Sequence, residues 1–192
     1  IKVYTARDED GMFRIPSIQQ RPLLLMGPPG IGKTAIVEQA AAECGTGMLS
    51  YAMTHHTRQS AIGLPELVTH QYEGKKYTVT EYTMSEIVAS VYVYMEQTGY
   101  REGILFLDEI MLQLLQFKKF GTHKVPEGWI IVAAGNPPEL NHAVREMDMA
   151  SLDRVRTLNI EADVTVWKQY AASRGVHPAI LSYLEMKPET FY

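Results

Sequence analysis

Apolar residues in this chain come in short dense runs that stop at turn residues. Leu23-Leu24-Leu25-Met26 ends abruptly at Gly27-Pro28-Pro29-Gly30, and a run bounded in that way reads as a strand buried on both faces. Ile104-Leu105-Phe106-Leu107 and Ile130-Ile131-Val132-Ala133-Ala134 repeat the pattern, Met48 to Met53 offers another strand, and Thr157-Leu158-Asn159-Ile160 a fifth. Between them, Lys33 to Cys44 is rich in alanine and predicts a helix, with Gly45 placed to cap its C-terminus. Thr83-Met84-Ser85-Glu86 has capping-box spacing and opens a helix that runs to about Gln97 and ends at Gly99. Strands alternating with helices predict an α/β domain with a mostly parallel sheet and helices on both faces.

Two regions depart from this alternation. Over residues 66–82, polar and β-branched residues alternate on either side of Glu73-Gly74, which predicts an exposed β-hairpin. From about Val164 the pattern turns helical, with Trp167, Tyr170 and Ala171 on one face, as at the start of a small helical subdomain. The expected division is a core over residues 1–162 and a partial helical subdomain over 163–192. Residues 1–20 form a mixed lead-in with little periodicity. One junction is too tight: Leu107 runs through Asp108-Glu109-Ile110 into the helical-looking Met111-Leu112-Gln113-Leu114-Leu115, with no turn residue and no clear cap. A strand needs a few connecting residues before a helix can pack on its sheet, so residues are expected to be absent here.

Composition narrows the field. With 46% hydrophobic and 21% charged residues, the 192-residue chain has ordinary globular values. A net charge of −4 argues mildly against broad binding of nucleic acid. Cys44, the single cysteine, has no internal disulfide partner and fits a reducing compartment. No apolar run approaches the roughly 18–20 residues of a membrane span, and the charged start Arg7-Asp8-Glu9-Asp10 does not resemble a signal peptide. A cytoplasmic location is the expectation.

The chemistry concentrates after the first strand. Gly27-Pro28-Pro29-Gly30-Ile31-Gly32-Lys33-Thr34 fits G-x-x-x-x-G-K-[ST] without departure. Glycines let the backbone curl so that successive N–H groups face phosphate oxygens, and the following helix presents its N-terminus to the anion. In such a loop Lys33 reaches the β- and γ-phosphates and the Thr34 hydroxyl ligates Mg²⁺. The pattern follows a strand and opens a helix, which is the context it requires. Asp108 and Glu109 end a buried strand, where α/β sheets bind ligands. Asp108 is the candidate to hold Mg²⁺, and Glu109 to polarise the attacking water.

Other residues leave two readings open. Asn136, in Gly135-Asn136-Pro137-Pro138, either orients water and the γ-phosphate or serves only a turn. Arg154 is either a surface arginine or one that stabilises a transferring phosphoryl group, in cis or from a neighbour. Adjacent His55 and His56 have no partners at metal-ligand spacing and would face opposite ways in a strand. Val91-Tyr92-Val93-Tyr94 reads as helix packing, not a base-stacking platform. Phe13, Ile15 and Pro16 are guesses at a base pocket.

Taken together, GPPGIGKT, FLDEI, VPEGWIIVAAGNPPELN and LDR resemble the AAA+ ATPases, in particular the MoxR-like, dynein-related branch. The resemblance extends from about Pro16 to Tyr192 and takes in Thr57 to Pro65 with the hairpin that follows, which is similar to that branch's insertion. It implies a P-loop NTPase fold with a five-stranded parallel sheet and a C-terminal helical lid. It also implies ATP with Mg²⁺, Walker A at Gly27 to Thr34, Walker B at Asp108 and Glu109, and sensor 1 at Asn136. Arg154 matches the arginine finger, acting in trans within a ring, usually a hexamer; Arg145 and Arg156 are weaker candidates. The family's members act as chaperone-like remodelling machines, often beside a partner with a von Willebrand factor A domain. Two departures stand out: the family has a longer connection after its Asp-Glu pair, and no second sensor arginine is found before Tyr192. Two other functions stand beside a remodelling ATPase. A nucleic-acid-associated or GTP-preferring motor would show a basic track, and a non-hydrolysing nucleotide-gated module need not keep Asp108, Glu109 and Asn136.

Overall fold

A computed structural model of the chain describes residues 1–52, 63–108, 119–120, 123–137 and 153–191. The strands are β1 (Leu23–Met26), β2 (Gly47–Ala52), β3 (Pro65–Tyr72), β4 (Lys75–Tyr82), β5 (Gly103–Asp108), β6 (Lys119–Phe120), β7 (His123–Lys124), β8 (Trp129–Gly135) and β9 (Arg156–Asn159). The α-helices among the described residues are α1 (Lys2–Thr5), α2 (Lys33–Cys44), α3 (Glu86–Thr98), α4 (Val164–Ser173) and α5 (Pro178–Met186). Five strands form one sheet in the order β2-β5-β8-β1-β9, and each neighbouring pair is parallel. This is the α/β architecture of a P-loop NTPase. The first strand lies inside the sheet and later strands add on both sides of it, so the crossover helices cover both faces.

The core follows the dense apolar runs. All seven residues of β8 are buried, as are Leu24, Leu25 and Ile104 to Leu107. Strands covered on both faces have no polar side to alternate, hence the unbroken runs. Helix α3 contributes Ile87, Val88 and Val91 to the same cluster. Its period turns Tyr94 inward as well, while Tyr92 and Val93 are exposed. The expected packing role of that stretch therefore holds for two of its four residues.

At the amino ends of the strands, Gly47, Gly103 and Trp129 stand in register. A Cβ on Gly103 would lie 2.9 Å from the Trp129 ring, and one on Gly47 would lie 2.8 Å from Tyr94. Two glycines therefore make room for aromatic rings. Tyr94 meets Trp129 edge-on at 5.6 Å between centroids and stacks on Tyr100 at 6.5 Å, geometries that aromatic quadrupoles favour.

The hairpin pairs β3 with β4 antiparallel from Pro65↔Tyr82 to Tyr72↔Lys75. Its turn uses left-handed backbone at Glu73 (φ 50°) and Gly74 (φ 79°), a pairing that matches the twist of the strands. At its neck, Leu64 N–H donates to the Thr83 hydroxyl and Thr83 N–H to Leu64 C=O, both at 2.9 Å. That employment corrects the capping reading of Thr83. The N-cap of α3 is Ser85, whose buried Oγ accepts from Ile87 N–H at 3.2 Å.

The lead-in is more ordered than its sequence suggests. Gln20 is buried and its amide donates to Tyr4 C=O and Ile15 C=O, each at 2.9 Å. Arg7 lies 4.2 Å from the centre of the Phe13 ring and pairs with Glu102. Glu102 precedes β5, so Phe13 sits toward the amino ends of the strands, away from the glycine-rich loop. That placement counts against Phe13 as part of a base pocket.

The chain divides into two compact units, Ile1–Asn159 and Ile160–Tyr192. In the second, Asp163 caps α4 by accepting from Thr165 and Val166 N–H at 2.8 and 3.0 Å. Pro178 opens α5, where its missing N–H costs nothing. Trp167 packs on Phe191 with ring centres 5.3 Å apart, and Ala171 and Leu184 are buried. Tyr170, expected on the inner face, is partly exposed beneath Arg174. Among the described residues no helix is long and apolar enough to cross a membrane.

Candidate phosphate-binding site

The parallel sheet brings the glycine-rich loop, Asn136 and the Asp108 backbone to one edge, the carboxyl ends of β1, β8 and β5. Met26, the last residue of β1, is level with Gly135, and Asp108 is level with Ala134. Strand β8 lies between β5 and β1. With ~4.8 Å between neighbouring strands, the backbone of Asp108 is roughly 10 Å across the sheet from β1. Asn136 leaves the sheet between them.

The loop after β1 is shaped by its glycines. Gly27 is buried and its N–H donates to Gly135 C=O at 3.2 Å, extending the β1–β8 ladder by one bond. Gly30 and Gly32 have φ of 81° and 90°, and a Cβ at either would meet nothing within 4 Å. The demand for glycine there is thus conformational, a left-handed backbone beside open space. Gly32 is the N-cap of the 12-residue helix α2 and supplies no side chain to its first turn. The amino-terminal N–H groups of α2, with the positive end of the helix dipole, suit an anion. Ile31, Lys33 and Thr34 are half-buried, whereas Pro29 and Gly30 are exposed.

Lys33 turns back into this loop. Its Nζ donates to Gly27 C=O at 2.7 Å, Pro28 C=O at 2.9 Å and Asn136 Oδ1 at 3.1 Å. An ammonium has no acceptor, so the amide oxygen of Asn136 must be the atom that faces it. Two residues 103 positions apart in sequence thus meet at one cation. Asn136 is half-buried after the last residue of β8, a contact that a turn alone would not require. Spacing along the chain does not pair these two residues; the γ-phosphate roles expected of both do.

The remaining candidates divide. Strand β5 carries the Asp108 backbone to the site, and β2 ends level with it, Ala52 opposite Asp108. Glu109, Arg145, His55 and His56 lie outside the described residues, as does the tight junction from Glu109 to Leu115. Arg154 is exposed in the turn before β9, where Arg156 is level with Leu23. The length of β1, roughly 10 Å, separates that level from the glycine-rich loop of the same chain.

Nothing along the chain singles out Tyr51, one residue from the end of β2. Its hydroxyl is pushed up to about 12, first by burial, then by the charge of Glu86 and a hydrogen bond with that carboxylate. Glu86 is the first residue of α3. The pair therefore joins the end of a central-sheet strand to the root of the hairpin-bearing segment.

A comparison with curated proteins gives no match. A family comparison does match. The stretch that matches, residues 23–115, runs from the first residue of β1 past the end of β5 and so includes the glycine-rich loop and Asp108. The matching family model is described as the ATPase family associated with various cellular activities (AAA), and with the five-stranded parallel sheet it supports an AAA+ ATPase.

Proposed function

We propose that this chain binds ATP with magnesium and hydrolyses it, as a MoxR-like AAA+ remodelling ATPase whose active site is completed by a neighbouring subunit in a ring. The observation that carries the nucleotide reading is the convergence of Lys33, the curled loop Gly27–Gly32 and Asn136 at the carboxyl edge of the sheet. Backbone N–H groups of Gly30 to Thr34 and the Lys33 ammonium would hold the phosphates. Thr34, in the first turn of α2, and Asp108, at the end of β5, are the residues to hold magnesium. That ion would spread the charge developing on the phosphate oxygens. Glu109 would accept the proton of the attacking water, and Asn136 would orient that water.

Arg154 supports the ring. Its place before β9, at the far end of β1 from its own glycine-rich loop, suits action on a neighbour's nucleotide. Resemblance alone adds a hexamer, a lid over 163–192 and a partner with a von Willebrand factor A domain. The exposed hairpin over residues 66–82 is the proposed contact for client or partner. Deleting it should weaken partner binding and leave basal turnover in place; unchanged partner binding would rule that contact out.

The test is ATPase rate against protein concentration, with Lys33→Ala and Arg154→Ala alongside. Specific activity that rises with concentration, falls by about 10³ in Arg154→Ala and disappears in Lys33→Ala is expected. A rate flat in concentration and indifferent to Arg154 would replace the ring with a monomeric ATPase.

A further inference from the structure

The acceptors around Lys33 have a consequence for nucleotide affinity. Gly27 C=O, Pro28 C=O and Asn136 Oδ1 give the ammonium three short hydrogen bonds, and the ammonium has three protons to donate. A phosphate that takes Lys33 must displace at least part of this set. We propose that these three oxygens form an intramolecular site that competes with nucleotide phosphate for the Lys33 ammonium, making Asn136 a positioning residue that sets nucleotide affinity through Lys33.

This inference rests on the nucleotide reading above and adds a second task to Asn136. The two carbonyls belong to the loop backbone and are fixed by its fold. Asn136 supplies a side-chain acceptor among these three, so its substitution can tune the competition. Hydrogen bonds to charged groups are stronger than neutral ones. Removing the Asn136 acceptor should therefore release the ammonium toward phosphate, and a carboxylate in its place should hold it more firmly. The effect is clearest with ADP, which lacks the γ-phosphate that Asn136 would otherwise contact.

Two measurements on the full chain decide the matter. The first is the dissociation constant for Mg-ADP by calorimetry in wild type, Asn136→Ala, Asn136→Ser and Asn136→Asp, repeated on a Lys33→Met background. The second is the acylation rate of Lys33 by an N-hydroxysuccinimide ester without nucleotide, mapped by mass spectrometry, with exposed Lys75 as the internal reference. Asn136→Ala and Asn136→Ser should bind ADP roughly three- to tenfold more tightly and acylate faster at Lys33 by a similar factor. Asn136→Asp should bind ADP more weakly and acylate no faster. On the Lys33→Met background, Asn136→Ala should leave ADP affinity unchanged. Turnover of ATP should meanwhile fall in Asn136→Ala, so that affinity and rate move in opposite directions.

Weaker ADP binding in Asn136→Ala, or unaltered Lys33 reactivity, would overturn the competition while leaving the nucleotide reading intact. Wild-type protein that binds no ADP would overturn both. Two neutral variants guard against one that fails to fold, and circular dichroism of each separates that outcome from a real effect.

Discussion

The two ends of the central sheet use glycine for opposite purposes. At the amino ends, Gly47 and Gly103 remove side chains so that Trp129 and Tyr94 can close on the backbone, and the space is filled. At the carboxyl ends, Gly30 and Gly32 give the chain left-handed turns, and the space their side chains would take is open. A glycine that admits a ring is a packing residue, and its replacement is felt as stability. Under the proposed nucleotide reading, Gly30 and Gly32 turn backbone N–H groups toward phosphate, and their replacement is felt mainly as affinity. The same residue type at opposite ends of one sheet thus serves packing at one and backbone conformation at the other.

The largest effect on stability should come at the closed end. Trp129→Ala should destabilise the protein by about 3–5 kcal/mol, measured by chemical denaturation, with nucleotide affinity of the folded fraction unchanged. Equal loss of affinity would mean that the two ends are not separable. Gly103→Ala should cost about 1–3 kcal/mol, because the new methyl group meets both the indole and Gly47 C=O, a backbone atom that cannot swing away. Gly32→Ala should show the reverse balance. The strained φ costs roughly 1–2 kcal/mol of stability, and Mg-ATP affinity should fall by at least tenfold as the loop N–H groups lose their aim. If Gly32→Ala binds normally, the left-handed turn is not what shapes the site.

The smallest effect is confined to alkaline pH. The folded protein keeps the Tyr51 proton up to about 12, whereas an unfolded tyrosine loses its proton near ~10. The folded state therefore holds more protons in that window, and stability falls as pH rises from ~10 toward 12. Tyr51→Phe removes this dependence. Its denaturation midpoint should run parallel to wild type below pH ~10 and decline less above it. Curves that remain parallel across the whole range would remove the Tyr51–Glu86 link from the account.

Much of this contrast was legible in the sequence, but only one side of it. The open end could be read because its glycines, Lys33 and Thr34 are neighbours along the chain at a spacing that phosphate chemistry dictates. Strand and helix positions were legible for a related reason: buried strands need dense apolar runs, and Gly45 and Gly99 mark the helix ends with left-handed caps. The closed end depends on the register of three strands that are distant in sequence, so nothing along the chain marks Gly47 and Gly103 as packing residues. The direct Lys33–Asn136 hydrogen bond is a tertiary contact too, although the γ-phosphate roles expected of both residues already place them near each other. Thr83 shows a local rule losing to a tertiary one: its spacing from Glu86 fits a capping box, yet its hydroxyl closes the hairpin and Ser85 caps the helix instead.

Calorimetric titration of Mg-ATP into wild type and Lys33→Ala tests the central claim most directly. The account predicts saturable one-to-one binding by the wild-type chain and a loss of at least about 100-fold in affinity when Lys33 is removed, with both proteins equally folded. Equal affinity in the two proteins, or no binding by the wild type, would contradict the assignment of the carboxyl edge of the sheet as the nucleotide site.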